Sequence, residues 1–227
     1  MELYHALNRG VEKRAIFLDD QDRSRFVRGL ELFNDTRSID NLHRIINGVD
    51  VGPTRSNKEP LVAIHGWCLM KNHYHLLLSE IEEGAITKFL MKLNVGYAKY
   101  FNKRYKRSGT LFQSRTKKIL IAKDSHFLHI LNYIHLNPLD YHRDFRNWRE
   151  GKINNAAQAL AYLNKYRWSS YQNYCDNTGF ANITSTLFFK EVFQNYPQQL
   201  KNYLATLEPE EIEPYTLENV GPTRSNI

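Results

Sequence analysis

Two apolar runs, Leu61 to Met70 and Tyr74 to Leu78, stand on either side of the short polar break Lys71-Asn72. Runs of that length with so brief an interruption predict two strands folded back on each other as a hairpin. Every other element has to be arranged around that pair. Tyr4 to Gly10 alternates loosely and predicts a first strand ended by its glycine. Phe26, Val27, Leu30 and Phe33 recur at helical spacing behind the polar start Asp19 to Asp22, which predicts a helix over about 22–36. Ile45, Ile46, Val49 and Val51 make 42–51 strand-like, and Ile86, Phe89, Leu90, Leu93, Tyr97, Tyr100 and Phe101 predict a helix from Gly84 to about Lys106. Leu111-Phe112 and Thr116 to Ala122 read as short strands. Asp124-Ser125 supplies a cap for a helix facing its core with Phe127, Leu128, Leu131 and Ile134, and Pro138 ends it. Helices are also expected at about 154–165 and 185–206. The order β-α-β-β-α-β-α gives an α+β fold, a sheet covered by helices.

A chain of 227 residues holds one sizeable core with an extension, or two small domains. The N-terminal MELYHALNRG lacks a signal-peptide core, and no apolar run is long enough to span a membrane. Cys68 and Cys175 lie far apart without metal-type spacing, as reduced thiols of a cytoplasmic protein do. The net charge of +7 makes a polyanion a natural partner, and its distribution sharpens that reading. From Gly84 to Lys123 there is no Asp or Glu, yet 11 of the 31 Lys and Arg residues fall there. Glu208, Glu210, Glu211, Glu213 and Glu218 make the C-terminal tail acidic. The segment VGPTRSN occurs at both 51–57 and 220–226, with turn-forming Gly-Pro and no core face, so both copies read as loop or tail insertions.

Three constellations carry chemistry. The first is His73-Tyr74-His75: alternate residues on a strand share a face about 6.5–7 Å apart, so two imidazoles converge on one metal ion. By itself such a pair is as readily two polar residues on a solvated strand face, and a metal site requires further ligands. The second is Tyr133 and Asn137, four residues apart on one helix face and away from the Phe127, Leu128, Leu131, Ile134 stripe. Tyr133 is therefore not expected in the core. Asn137 offers a hard oxygen suited to Mg or Mn, although Pro138 disfavours helical backbone at Asn137. The third is basic: Lys88, Lys92, Lys99, Lys103 and Lys106 fall within roughly 60° of one another on a helix turning about 100° per residue. Arg104, Arg107, Arg115, Lys117 and Lys118 extend the patch among Tyr97, Tyr100, Tyr105 and Phe112. Lysines neutralise phosphates and aromatics stack on unpaired bases, although a solvated helix face also carries lysines.

Taken with Asn8-Arg9-Gly10, the run from Cys68 to Leu78, Ser108 to Arg115, Tyr133 to Pro138 and Arg167 to Tyr171, the chain resembles the REP-associated branch of the single-tyrosine HUH transposases. The pieces run in family order over about residues 3–175. Lys71 stands where the family often has Pro, and Ser114 where it often has Gly. The resemblance implies a ferredoxin-like antiparallel sheet covered by helices, with a catalytic domain over 1–175 (a loop insertion at about 51–60) and a C-terminal helical extension and acidic tail over 176–227. It also implies His73, His75 and Asn137 as ligands of a divalent metal, Mg or Mn, and Tyr133 as the nucleophile that nicks and rejoins single-stranded DNA near a hairpin or palindromic repeat. The basic residues named above would bind that DNA. Monomer or homodimer stays open. A non-catalytic ferredoxin-like nucleic-acid-binding regulator would need neither the histidines nor the tyrosine, and a hydrolase without a covalent step would need only the histidines.

Overall fold

The computed structural model describes residues 2–37, 58–122, 124–175, 179–180 and 182–212. The strand expected at 42–51 and both VGPTRSN copies lie outside the described residues. Tyr4–Arg9 forms β1, Asp20–Leu32 forms α1, and the central apolar runs form β2 (Val62–Leu69) and β3 (His73–Glu80). Ala85–Arg104 forms α2 and Lys117–Leu120 forms β4. The four strands pair antiparallel in the order β2-β3-β1-β4. With α1 among the described residues between β1 and β2, and α2 between β3 and β4, this is the split βαβ arrangement called ferredoxin-like. The hairpin is where the apolar runs predicted it. β4 is shorter than the expected 116–122, and Phe112 makes only an isolated bridge to Gly10.

Period-two alternation sends neighbouring side chains to opposite faces of the sheet. Ala6, Tyr74, Leu76 and Leu78 face one way and pack under α1 and α2 with Phe26, Leu30, Phe89 and Leu93. α1 begins at Asp19, whose side chain accepts a hydrogen bond from Asp22 N. The helices cross closely at Gly96, where an added Cβ would lie 2.2 Å from the Phe33 ring. Buried Asp22 accepts from Arg104, Tyr100 and Tyr105, tying the start of α1 to the end of α2.

The opposite face receives α3 (Asp124–Leu136). It sits close because Gly66 has no side chain: a Cβ there would come within 2.7 Å of Leu131 Cδ1. Pro138 does not stop the chain's coiling, since Asn137–Tyr141 continues as a 3-10 turn with the proline in its first turn. Among the described residues five further α-helices follow: α4 (Ala156–Lys165), α5 (Tyr171–Cys175), α6 (Leu187–Val192), α7 (Tyr196–Thr206) and α8 (Pro209–Ile212). The helix expected over 185–206 is thus two, divided where Asn195 caps α7 and Pro197 opens it. Phe189, Tyr196, Leu200 and Leu204 share one core with Ile130, Leu131 and Ile134 of α3. The segment Trp168–Ser170 closes the outer edge of β2, with Leu69 N donating to Trp168 O and Ser170 N to Trp67 O. Among the described residues no helix is long and apolar enough to cross a membrane.

Candidate active site

The register of the sheet assembles the site. His75 lies opposite Leu7, and Leu7 lies opposite Lys117; His73 lies opposite Arg9, and His5 opposite Leu77. Directly paired residues share a face, so His5, His73, His75, Arg9 and Lys117 all stand on the α3 side. The His73 and His75 rings meet edge to face at 4.9 Å between centroids. His5 stacks on His75 at 5.1 Å, and its Nε2 lies 2.9 Å from His75 Nδ1. His73 Nδ1 lies 2.7 Å from Asn72 Oδ1. A carbonyl oxygen only accepts, so that nitrogen carries the proton and Nε2 keeps its lone pair.

Tyr133 comes down from α3 onto this cluster, its ring 5.6 Å from His75 and 6.0 Å from His5. Contrary to the helical-wheel expectation it is a core residue, 2% exposed. The wheel assumes one apolar side, whereas α3 is covered by the sheet on one side and by the C-terminal helices on the other. The chain after α3 then folds back over the tyrosine. Trp148 lies 5.9 Å from its ring, and Arg149 Cζ lies 5.8 Å from its centre and 4.4 Å from that of Trp148. Asp140 accepts from both Trp148 Nε1 and Arg149 Nη1. Asn137, also buried, donates through Nδ2 to Tyr133 O at 2.7 Å and accepts at Oδ1 from Arg149 Nη2 at 2.9 Å.

Burial dominates the electrostatics here, because it disfavours whichever form is charged. It pushes His5 and His73 down to about 3 and His75 well below the usual histidine range, with Arg149 adding to the effect on the last two. These imidazoles are neutral at pH 7, the state in which they ligate metals. Burial raises the Tyr133 phenol above its ordinary value, and the adjoining Arg149 guanidinium opposes that rise.

The residues present fit a divalent cation in part. His75 Nε2 is buried without a hydrogen-bond partner, and the Nδ1 side of each ring is anchored, the usual support for a ligating histidine. Asn137 differs from the expectation: its oxygen is spent on Arg149. Among the described residues no set of three or more His, Cys, Asp or Glu is arranged to hold a metal.

The basic residues divide. α2 packs on the sheet face opposite the histidines, so its lysine stripe and the His–Tyr cluster are on different layers. Arg104 pairs with Asp19 and Asp22, and Lys92 donates to the carbonyls of Asp35 and Arg37; both tie α2 to α1 and its C-terminal turn. Lys88 donates to Thr36 O, Arg107 to Asn102 and Thr110, and Lys118 to Thr87. Lys99, Lys103, Lys106, Arg115 and Lys118 are exposed, and Lys117 is partly buried on the histidine side. Beside His73 opens a cleft lined by Lys13, Lys71, Asn72, Asp140 and Tyr141.

A His-x-His pair on the central strand of a split βαβ sheet, facing a buried tyrosine, defines the class of site. Residues 54–137 match the family model described as "Transposase IS200 like", a span that holds both histidines, Tyr133 and Asn137. No curated protein matches the chain. A solved structure described as the REP-associated tyrosine transposase bound to a REP hairpin is similar at 12% identity, covering 79% of this chain and 89% of that one with a TM-score of 0.42. That overlay is too loose to transfer residue roles.

His5, Arg9 and Arg149 were not picked out from the sequence as site residues. Arg9 belongs to the Asn8-Arg9-Gly10 segment and His5 precedes that segment by three residues, but only strand pairing brings either beside His73 and His75. Arg149 carries no local signal at all.

Proposed function

We propose that the protein is a transposase that cuts and rejoins single-stranded DNA next to a hairpin or palindromic repeat through a covalent tyrosine intermediate. The single observation that supports this most directly is the packing of Tyr133 against His75, with the orphaned His75 Nε2 beside it. Tyr133 Oη attacks a backbone phosphorus: the Oη–P bond forms, the P–O3′ bond breaks, the phenol loses its proton and the departing 3′-oxygen gains one. The product is a 5′-phosphotyrosine with a free 3′-OH. The tyrosyl ester retains the energy of the broken phosphodiester, so a 3′-OH reverses the step or joins a new end without a nucleotide cofactor.

His73 and His75 would hold Mg or Mn, with Asn137 as third ligand once its oxygen exchanges Arg149 for the ion. When bound, the cation supplies Lewis acidity at a non-bridging phosphate oxygen. Burial of Tyr133 keeps bulk water from competing with the 3′-OH for the ester. Arg9 and Lys117 flank the histidines on their own face. Arg115 and Lys118 carry positive charge around the β4 edge, and Lys99, Lys103 and Lys106 continue it along α2, as a path for the DNA backbone. Lys88, Lys92, Arg104 and Arg107 contribute to that field while holding the fold together.

The test is direct. Incubation with Mg or Mn and hairpin-bearing oligonucleotides should give a denaturant-resistant protein–DNA conjugate for wild type and none for Tyr133→Phe. A conjugate with Tyr133→Phe refutes the nucleophile. Cleavage without any conjugate, lost in His75→Ala and kept in Tyr133→Phe, makes the protein a metal-dependent hydrolase. Hairpin binding without cleavage makes it a regulator.

A further inference from the structure

Arg149 sits in an unusual place for a structural arginine. Its positive charge bears on Tyr133 and on both histidines of the proposed metal pair. A guanidinium and a divalent cation held side by side repel each other strongly where water is scarce. Asp140 offsets one charge, since it pairs with Arg149 and also accepts from Trp148. A second anion is needed for Arg149 and a metal to share the site, and a phosphodiester brings one. The geometry of the side chain suits that anion. It is braced flat by Trp148 at 4.4 Å and fixed at Nη1 by Asp140, and so pre-oriented beside the phenol, while Asn137 holds Nη2 until its oxygen turns to a metal. A guanidinium carries five N–H donors in one plane, so donors remain beyond those two bonds. The solvent-side pair Lys152–Glu150, a few residues on, shows none of this enclosure.

We infer that Arg149 is a substrate-binding residue whose guanidinium donates to a non-bridging oxygen of the phosphodiester that Tyr133 attacks. The assignment rests on the proposed tyrosine chemistry for the identity of that phosphate. It makes Arg149 the charged contact at the reacting centre, while the residues on the β4 edge and α2 hold the DNA farther out. An arginine is suited to this role and a lysine is not, because the fork fixes the phosphate's orientation as well as its charge.

The experiment separates binding from reaction. Hairpin oligonucleotides with a single-stranded flank are made with one methylphosphonate at a time along the flank, which removes one backbone charge. Their affinities are measured in EDTA for Tyr133→Phe, for Tyr133→Phe/Arg149→Gln and for Tyr133→Phe/Arg149→Lys. One position is expected to weaken binding on the order of tenfold in the Tyr133→Phe protein and to have little effect once Arg149 is Gln, as for a lost charge-assisted hydrogen bond. Arg149→Lys keeps a cation for Asp140, so it carries the test if Arg149→Gln does not fold, and it should retain only part of the sensitivity. In the wild-type protein with Mn, the phosphate joined to Tyr133 should be that same one. If no position depends on Arg149, or if the phosphate joined to Tyr133 is insensitive to it, the assignment is overturned and the tyrosine reaction stands. An Arg149-dependent phosphate with no conjugate in wild type sinks the tyrosine reaction and leaves Arg149 as a phosphate-binding residue.

Discussion

The sheet separates two layers built from different chemistry. Under α1 and α2 the strands present Ala6, Tyr74, Leu76 and Leu78 to Phe26, Leu30, Phe89 and Leu93, with no histidine among the described buried side chains. On the other side the described residues include the buried histidines His5, His65, His75 and His135, with Asn137 and Ser170. Most of these polar groups are paired: His135 lies 2.8 Å from Tyr196 Oη and 2.8 Å from Ser170 Oγ, and His65 lies 2.8 Å from Ser79 Oγ. One strand, β3, serves both layers by alternation, so stability and chemistry are written on successive residues of the same segment. A largely apolar layer, with buried Asp22 tying its two helices together, carries the fold, and the buried histidines gather in the other.

The sharpest way to break that division is a pair of substitutions on β3. Leu76→Ala should cost about 2–5 kcal/mol in denaturant unfolding, as for other large-to-small core changes, and leave Mn binding of the folded protein intact. His75→Ala should abolish Mn binding, read by electron paramagnetic resonance, with a much smaller change in stability. If Leu76→Ala weakens Mn binding as much as His75→Ala does, the layers are not independent.

Acid should attack the polar layer first. Burial holds His65 at about 4 against an ordinary 6.5, so between those values the unfolded chain binds a proton that the folded chain refuses. Stability therefore rises with pH across that window and levels off above 6.5. The His65 share is roughly 3 kcal/mol, lost as pH falls from 6.5 to 4. Urea midpoints measured over this range should fall for wild type and fall less for His65→Gln. Equal slopes would show that His65 is not the group responsible.

Tyr196→Phe deletes the hydroxyl that meets buried His135 and should cost about 1–3 kcal/mol, the usual range for a stranded polar group. Thermal unfolding at neutral pH checks it; no change would mean that solvent reaches His135. The smallest effects belong to the exposed lysines. Lys99→Ala and Lys106→Ala should leave stability within about 0.5 kcal/mol and each lower the salt dependence of hairpin binding by about one phosphate contact. Arg104→Ala should show the reverse, lower stability with an unchanged salt slope, because it is committed to Asp19 and Asp22.

Much of the apolar layer could be read directly from the chain. β2, β3, α1 and α2 are set by local periodicity, and so is the convergence of His73 and His75, which needs only strand alternation. A helical wheel puts Tyr133 off the core face because it registers one apolar side and not the Trp148–Arg149 segment that the chain lays over the tyrosine some fifteen residues later. His5 and Arg149 are site neighbours only through non-local pairing and a turn without periodicity. The four-residue spacing places Asn137 beside Tyr133 but gives neither its burial nor its hydrogen bond to Arg149, which depends on a residue twelve positions away. Local pattern finds elements and the spacing within them; it does not find what a later segment lays on top.

That covering layer has a consequence at the level of the gene. The matched family span stops at Asn137, yet Arg149, Ser170, Phe189 and Tyr196 are what enclose and brace the tyrosine helix. A frameshift or premature stop between codons 137 and 189 would leave every residue of the His–Tyr trio encoded and translated. The product would nonetheless bare one whole side of α3 to water, and would be expected to be degraded by the cell's proteases. Counting intact copies of such a gene by its histidines and tyrosine alone would therefore overstate how many encode a protein that folds.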